Sequence, residues 1–411
     1  MDSRIALGWR SSNSVSMNWA IDATHSAHTR AQTGIQQLCR DPVKHVSSNN
    51  WGHAVVYDRY AAKWRLPDQH EKECLDPDPW ALPSQKRRLS WSSRQKIRGW
   101  MQRLMPRAGQ DCCITGGLLI PEIFSVDQEL AYSLVKGPKV AFFHDATPLL
   151  FPEWSPPSVV RRFPGYLEFL SGLDWVICIS RQSEGDLLSF LKRADLPAPE
   201  TIVLPLGAPS SVLDSQSPRV PKPISQQPPT VLMVGSIEAR KNHLAVLDAC
   251  EQLWTEGLAF NLRLMGLLNR ATGTAAANRI RELAASGRPL HWKGPASQQE
   301  IIDAYRNADI FLYPSLYEGF GIPVMEAKAF GLPVITSNKG ALQERLMEGG
   351  CLETETTPRE IATSLKRLIL EPPLRHRLVQ EGRKQPVRSM AIVAAELRQL
   401  LEARWPSPKA L

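Results

Sequence analysis

The sequence lacks any uninterrupted apolar run close to the roughly 20 residues that a helix needs to span a bilayer, and its N-terminus has no stretch resembling a secretory signal. It also lacks a C-x-x-C pair, because its seven cysteines form an odd, scattered set that fits neither a disulfide framework nor a zinc site. No solenoid-type repeat and no long low-complexity tract is visible. We therefore expect a cytoplasmic protein with reduced cysteines, with the inner face of the cytoplasmic membrane as the alternative location.

What is present is the composition of a folded globular protein. Of its 411 residues, 43% are hydrophobic and 22% are charged, which is near the average for such proteins. A chain of this length exceeds one ordinary hydrophobic core, so we expect two domains. The formal charge of +8 favours an anionic partner, such as nucleotide phosphates, a lipid surface or nucleic acid. Because the basic residues are dispersed and accompany no recognition motif, we expect no nucleic-acid partner.

Short β-rich runs alternate with helical patterns along most of the chain. Such alternation is typical of parallel, doubly wound sheets, whose ligands enter at the carboxyl ends of the strands. A stretch rich in Pro, Ser and Gln indicates a linker between two such sheets. The predicted units are an N-terminal Rossmann-like domain at 1–207, the linker at 208–229, a C-terminal Rossmann-like domain at 230–380 and a helical segment at 381–411, for which a return to the first domain is open. The predicted strands lie at 17–23, 53–58, 139–145, 175–180, 201–205, 231–236, 261–266, 290–294, 310–315 and 332–337.

A basic stretch with interleaved apolar residues lies at 82–107. At helical spacing four of its apolar residues fall within one sector, with basic residues beside it. We predict an ordinary surface helix that packs its apolar side on the domain, and a peripheral membrane contact is the alternative. The apolar residues are Ile97, Trp100, Met101 and Leu104, and the basic neighbours are Lys96 and Arg103.

A glycine-containing loop follows the fourth predicted strand of the C-terminal domain. Gly319 and Gly321 flank Phe320 and permit main-chain N–H groups to approach a ligand closely. Pro323 suits the first turn of a helix, which we predict over 323–330. The unpaired N–H groups at the start of this helix favour an anion such as a diphosphate.

Two carboxylates bracket this anion site, Glu318 just before the loop and Glu326 about one turn into the helix. A carboxylate repels phosphate, so its presence here is sensible only if the ligand also offers hydroxyl groups, as the ribose and hexose of a nucleotide sugar do. Taken singly, Glu318 ends a loop and Glu326 favours a helix N-terminus. Together with the glycine loop, the two residues predict a site for a nucleotide diphosphate sugar.

The spacing of Glu318 and Glu326 within EGFGIPVMEA resembles the signature of the retaining family 4 glycosyltransferases, or glycosyl transferases group 1, and bacterial mannosyltransferases are the nearest members. The resemblance covers most of residues 17–370 and is strongest in the C-terminal domain. It implies the GT-B fold, in which two Rossmann-like doubly wound domains face each other across a cleft. The other matching segments are QTGIQ at 32–36, FFHDATPLLFPEW at 142–154, ISRQSEGDL at 179–187, VGSIEARKN at 234–242 and HWKGPASQQEIIDAYRNADIFLYPS at 291–315.

The resemblance implies roles for residues of the C-terminal domain. Glu326 would bind the donor ribose hydroxyls, and Glu318 would lie by the transferred sugar and its phosphate. Arg240 and Lys241 resemble the basic pair that neutralises the diphosphate, where negative charge develops as the nucleoside diphosphate leaves. Many members carry an arginine where this chain has Ser236, so one phosphate contact is either missing or supplied by Arg240. The further donor contacts are assigned to Gly319, Phe320, Gly321, Gly235, Ser236 and Gly294.

In the N-terminal domain, the resemblance points to His144 and Gly34. His144 lies at the end of a predicted strand and resembles the histidine that contacts the transferred sugar, although a lone histidine is equally compatible with a structural role. Gly34 looks like the glycine of the first strand-to-helix loop, where the donor or acceptor approaches the backbone.

Retention of the anomeric configuration requires either front-face attack or a double displacement with a carboxylate nucleophile. The sequence offers no convincing nucleophile, so the resemblance favours front-face attack with the donor phosphate accepting the acceptor's proton. We expect no metal and no other cofactor. Asp76 and Asp78 form an Asp-x-Asp pattern, but prolines follow both residues and no apolar strand precedes them.

The resemblance favours a hexosyltransferase that uses GDP-mannose and acts on a glycan or lipid-linked glycan acceptor in surface polysaccharide synthesis. The sequence leaves the donor base, the hexose, the acceptor and the linkage open. A non-catalytic nucleotide-sugar-binding or scaffold protein is the alternative from another class. A sugar-nucleotide epimerase or an α-glucan phosphorylase would share the fold, but neither the additional acid and base residues nor a pyridoxal phosphate lysine stands out.

Overall fold

The computed structural model describes residues 18–29, 40, 43–46, 51–76, 91–104, 114, 116–122, 129–209, 212 and 228–406. Gly34 and Asp78 lie outside these residues, as does most of the predicted linker. The two predictions on Gly34 and Asp78 therefore rest on the sequence alone.

The N-terminal domain is built on a seven-stranded sheet. Its strands are β1 (Trp19–Asp22), β2 (Gly52–Asp58), β3 (Lys63–Arg65), β4 (Leu118–Ile120), β5 (Lys139–Phe143), β6 (Trp175–Cys178) and β7 (Thr201–Val203). The strand order is β3-β2-β1-β4-β5-β6-β7, and every neighbouring pair is parallel except β2 with β3. The helices are α1 (Gln69–Leu75), α2 (Ser93–Leu104), α3 (Glu129–Ser133), α4 (Thr147–Leu150), α5 (Pro157–Ser171) and α6 (Arg181–Arg193).

The C-terminal domain has a six-stranded, wholly parallel sheet. Its strands are β8 (Thr230–Val234), β9 (Asn261–Met265), β10 (Leu290–Lys293), β11 (Ile310–Tyr313), β12 (Val334–Thr336) and β13 (Cys351–Glu353). The order β10-β9-β8-β11-β12-β13 places the reversal of strand order between β8 and β11. The helices are α7 (His243–Thr255), α8 (Thr274–Ala285), α9 (Gln298–Asn307), α10 (Ile322–Ala329), α11 (Leu342–Met347), α12 (Pro358–Leu370), α13 (Pro372–Lys384) and α14 (Met390–Arg404).

Local sequence explains why these elements form where they do. All four residues of β11 are apolar or aromatic and buried, as expected for a strand covered by helices on both faces. Ser180 begins α6 and Ser297 begins α9 with capping boxes, which satisfy N–H groups at the two helix starts. The prediction of two Rossmann-like, doubly wound domains is confirmed.

The last helix, α14, packs against the N-terminal domain. The Ala208 N–H donates to the Arg388 carbonyl at 2.7 Å just before this helix. At its other end, the Trp405 ring contacts Trp19 and Trp175 edge-on, with ring centroids 5.5 and 5.8 Å apart. Since α13 runs through residue 380, the structure has no break in secondary structure at the predicted end of the second domain.

The prediction that the helix at 82–107 packs its apolar side on the domain is wrong. In α2 the side chains of Ile97, Trp100, Met101 and Leu104 are exposed, whereas Gln95 and Gly99 are buried. The physical reason is that the surface under the helix is polar and lies close to the helix backbone. It therefore accommodates the Gln95 amide and Gly99 rather than bulky apolar side chains.

Candidate functional site

Glu318, Arg240 and Lys241 meet at the topological switch point of the second sheet, where the loops after β8 and β11 lie side by side. Several hydrogen bonds join these loops. The Leu316 N–H donates to the Arg240 carbonyl at 2.8 Å, and the Asn242 side chain donates to the Pro314 carbonyl at 3.3 Å. Residues separated by more than 70 positions in the sequence are thereby fixed in one place.

The Glu318 carboxylate is the centre of this cluster. One of its oxygens accepts from Lys241 Nζ at 2.5 Å and from the Tyr313 hydroxyl at 3.0 Å. Its other oxygen accepts from Arg240 Nη1 at 2.7 Å, and Arg240 Nε lies 2.8 Å from Glu238 Oε1. Two cations are thus held by two carboxylates in a nearly neutral group, in which Glu318 and Lys241 are buried and Arg240 and Glu238 are partly buried.

Electrostatics keeps Glu318 ionised although it is buried. Burial alone would raise its pKa, but Arg240 and Lys241 hold the pKa at about 2. Burial and the neighbouring Arg240 lower the pKa of Lys241, against the opposing effect of Glu318. For Arg240 the two carboxylates outweigh burial and raise the pKa. Each charge therefore depends on its partners, which makes the cluster sensitive to the loss of any one of them.

The glycine loop reaches the other domain. A Cβ on Gly319 would lie 2.5 Å from the His144 carbonyl oxygen, so only glycine fits this approach without movement. The Ser180 hydroxyl donates to the Gly319 carbonyl at 2.7 Å. Gly321 has φ +95° and begins α10, a backbone conformation that other residues adopt only with strain. The Phe320 side chain between them is buried under Arg345, whose guanidinium lies 4.4 Å from the ring centroid.

His144 is fully buried at the end of β5. Its Nε2 lies 2.7 Å from the Pro121 carbonyl, so this nitrogen carries the proton and donates it. Among the residues that the structure describes, Nδ1 has no hydrogen-bond partner. Burial lowers the pKa of the ring, which favours a neutral imidazole with an acceptor nitrogen available for a hydroxyl group.

Glu326 is buried in α10, where the Tyr305 hydroxyl donates to it at 2.9 Å. Burial raises its pKa to about 7, and the hydrogen bond from Tyr305 only partly opposes this. The two glutamates therefore differ in charge state near neutral pH, because Glu318 has two cationic partners and Glu326 has none among its described contacts.

Replacing Glu326 with Gln should stabilise the protein at pH 8 by about 3 kcal/mol, since each unit of pKa shift corresponds to roughly 1.4 kcal/mol. The folded-state pKa of about 7 exceeds the usual 4.5, so stability is full below about 4.5 and is lost as the pH rises through 7. Urea unfolding at pH 4.5 and 8 measures this, and the gain should nearly vanish at pH 4.5. Glu153→Gln at an exposed position is the control, and an equal gain at both pH values would contradict the assignment.

The remaining predicted donor residues, Gly235, Ser236 and Gly294, differ in how near they lie to Glu318 and its cations. Gly235 follows β8, and a Cβ there would lie 3.7 Å from Lys241 Cε, so it adjoins the cluster. Ser236 follows it and is half-buried. Gly294 follows β10, which β9 separates from β8, and no contact in the described residues links it with the carboxylate and its cations.

A polar cluster that the sequence analysis missed lies at the switch point of the first sheet, between β1 and β4. His25 Nδ1 lies 2.6 Å from Glu122 Oε2, and the neighbouring Pro121 carbonyl is the partner of His144. Burial lowers the pKa of His25, but Glu122 reverses the shift and raises it overall. The sequence held one signal for this cluster, which was the position of its residues. Both His25 and Glu122 follow strands, at the edge of the sheet where ligands bind.

The described residues include no group of three or more His, Cys, Asp or Glu side chains arranged to hold a metal ion. None of the helices in this part of the chain combines the length and the apolarity needed to cross a membrane.

Comparison with known proteins agrees with the fold described above. Two Rossmann-like domains joined in this way form the GT-B fold. The solved structure of the sucrose-phosphate synthase from Thermosynechococcus elongatus has a TM-score of 0.65 to this chain. The two are 18% identical, and the match covers 95% of this chain and 100% of that one. Residues 214–385, in the C-terminal part of the chain, match the family model of the glycosyl transferases group 1.

Two of the relatives from Escherichia coli represent the similarity to mannosyltransferases. The serotype-specific mannosyltransferase WbdA is 29% identical over 237 residues, which cover 54% of this chain and 29% of WbdA. The O-antigen chain mannosyltransferase B is 28% identical over 218 residues, which cover 51% of this chain and 56% of that protein. The chain thus spans about a third and about half of the lengths of these relatives.

Proposed function

We propose that this protein is a retaining glycosyltransferase that transfers a hexose from a nucleotide diphosphate sugar, with GDP-mannose as the preferred donor. The observation that carries the proposal is the Glu318 carboxylate, buried between Arg240 and Lys241 at the mouth of the C-terminal sheet. Beside it, the glycine loop contacts the His144 backbone of the facing domain.

The donor would exchange partners with this cluster. Its diphosphate takes N–H donors of Arg240 and Lys241, which bind Glu318 in the structure without a ligand. Glu318 is then free to accept hydroxyl groups of the hexose, and Glu326 accepts those of the ribose. The Nδ1 of His144, which has no hydrogen-bond partner in the described part of the chain, supplies a further acceptor for the transferred sugar. With two cations beside the diphosphate, we propose that donor binding needs no metal.

We propose front-face attack as the route to retention. In this step the bond from the anomeric carbon to the donor phosphate breaks, the bond to the acceptor oxygen forms, and the acceptor's proton passes to the leaving diphosphate. The low pKa of Glu318 and its two cationic partners make that carboxylate a weak nucleophile, which supports this route over a double displacement.

The names of the two relatives support the choice of substrates. Both are mannosyltransferases, and one is named for an O-antigen chain, so we propose mannose as the hexose and a glycan or lipid-linked glycan of a surface polysaccharide as the acceptor. The polar cluster at His25 and Glu122 lies at the ligand edge of the other domain, where the acceptor would enter.

Binding of free nucleotides tests the donor assignment. GDP should raise the melting temperature more than UDP or dTDP does at equal concentration. At a hundred times its Kd, GDP should stabilise the folded protein by about 3 kcal/mol. Lys241→Met should abolish the shift, whereas Glu153→Gln should leave it unchanged. The absence of a shift with all three nucleotides would overturn the donor site, and binding without turnover of labelled GDP-mannose would indicate a binding protein rather than an enzyme.

A further inference from the structure

Helix α2 carries its apolar residues on the outside of the molecule. The exposed fractions are 61% for Ile97, 62% for Trp100, 60% for Met101 and 74% for Leu104. At 100° per residue these four side chains occupy a sector about 100° wide. The buried residues Gln95 and Gly99 lie on the opposite side of the helix.

Specific contacts hold the helix in this orientation. Gln95 Nε2 donates to Asp68 Oδ2 and to Glu71 Oε1, both at 3.0 Å. A Cβ on Gly99 would lie 2.6 Å from Tyr60 Cβ, so the helix backbone packs directly on that residue. Rotating the helix to bury its apolar side would break these hydrogen bonds and force larger side chains into this contact.

The flanks of the apolar sector are basic. Arg94, Lys96 and Arg103 are exposed, and the helix contains no acidic residue. Arg94 lies on one side of the sector, and Lys96 and Arg103 lie on the other. Basic flanks beside exposed apolar residues, with an indole among them, are the composition of a helix that lies in the interface of an anionic bilayer.

The helix also lies near the ligand edge of its domain. Trp91, two residues before α2, stacks on His28 with ring centroids 3.9 Å apart. His28 belongs to the turn that directly follows β1, as does His25 of the polar cluster. A surface bound by α2 would therefore lie close to the switch point of the N-terminal sheet.

We propose that the outer face of α2, formed by Ile97, Trp100, Met101 and Leu104 with the three exposed basic residues, docks the protein on an anionic lipid bilayer. The charge pattern favours lipid over a second copy of the chain, because pairing this face with itself would bring basic residues together. The inference stands on exposure and charge, so it does not depend on the transferase activity proposed above.

Co-sedimentation of the full chain with vesicles tests the proposal. The protein should bind vesicles of equimolar phosphatidylcholine and phosphatidylglycerol and bind pure phosphatidylcholine far more weakly. Removing the three charges by R94Q/K96Q/R103Q should weaken binding on the order of a hundredfold, at about fivefold per residue. Trp100→Ser should weaken it at least about tenfold, whereas Trp100→Phe should retain it.

Matched variants in the other domain control for non-specific effects. Met347→Ser removes a side chain that is 78% exposed, and R281Q/R359Q/K384Q removes three exposed cations elsewhere, so both should bind vesicles like the unmodified protein. Equal binding to the two kinds of vesicle, or no binding to either, would overturn the proposal. Concentration-dependent dimerisation that Trp100→Ser abolishes would show instead that this face pairs with a second copy.

Discussion

Replacing Glu318 with Gln is expected to reduce turnover of the proposed donor by about 10²–10³-fold, the loss that follows removal of one electrostatic stabiliser. The change keeps the shape of the side chain and its hydrogen bond from the Tyr313 hydroxyl, but it removes the charge that opposes Arg240 and Lys241. Affinity for free GDP should be retained or increase, because the diphosphate no longer competes with a carboxylate for these cations. Steady-state kinetics and GDP titration would measure the two effects separately.

The opposite directions of these effects make the test specific. A purely structural role for Glu318 predicts that stability, GDP affinity and turnover fall together. Glu353→Gln, at the exposed last residue of β13, is the control and should change none of the three. Nearly unchanged turnover in the Glu318→Gln variant would contradict the assigned role.

The alternation of apolar runs with helical patterns was enough to predict the fold, because parallel strands covered on both faces are continuous apolar segments. The helix predicted at 323–330 is α10, at Ile322–Ala329. Strands β3, β4 and β13 were not predicted. Each has three residues and pairs with a neighbouring strand, which helps to specify it. Strands β7 and β12 are equally short but lie within longer runs that were predicted as strands, at 201–205 and 332–337.

The site could be predicted only as far as its motifs reach. The spacing of Glu318 and Glu326 placed both at a helix start, and the resemblance added Arg240 and Lys241. The sequence could not show that the cations bind Glu318 itself, or that Glu326 is buried with no cationic partner among the described residues, since both facts depend on how distant loops pack. For the same reason the orientation of α2 was predicted wrongly, because helical periodicity identifies an apolar side without saying what covers it.

Lys241→Met tests whether the buried ion pair with Glu318 serves binding as well as stability. Removing one partner of a buried pair typically costs about 3–5 kcal/mol, and the remaining contact of Glu318 with Arg240 should keep the loss near 3 kcal/mol. Turnover should fall at least about 10²-fold, since the diphosphate loses a cation. Urea unfolding and steady-state kinetics measure the two losses.

The double variant Lys241→Met/Glu318→Gln separates these roles. With both charges removed, Arg240 still pairs with Glu238 at 2.8 Å, so the free energy of unfolding should return to within about 1 kcal/mol of the unmodified protein. Turnover should stay as low as in Lys241→Met, because neither the cation for the diphosphate nor the carboxylate for the sugar is restored. Recovery of both stability and turnover would mean that the pair only supports the fold, and the donor site would then have to lie elsewhere.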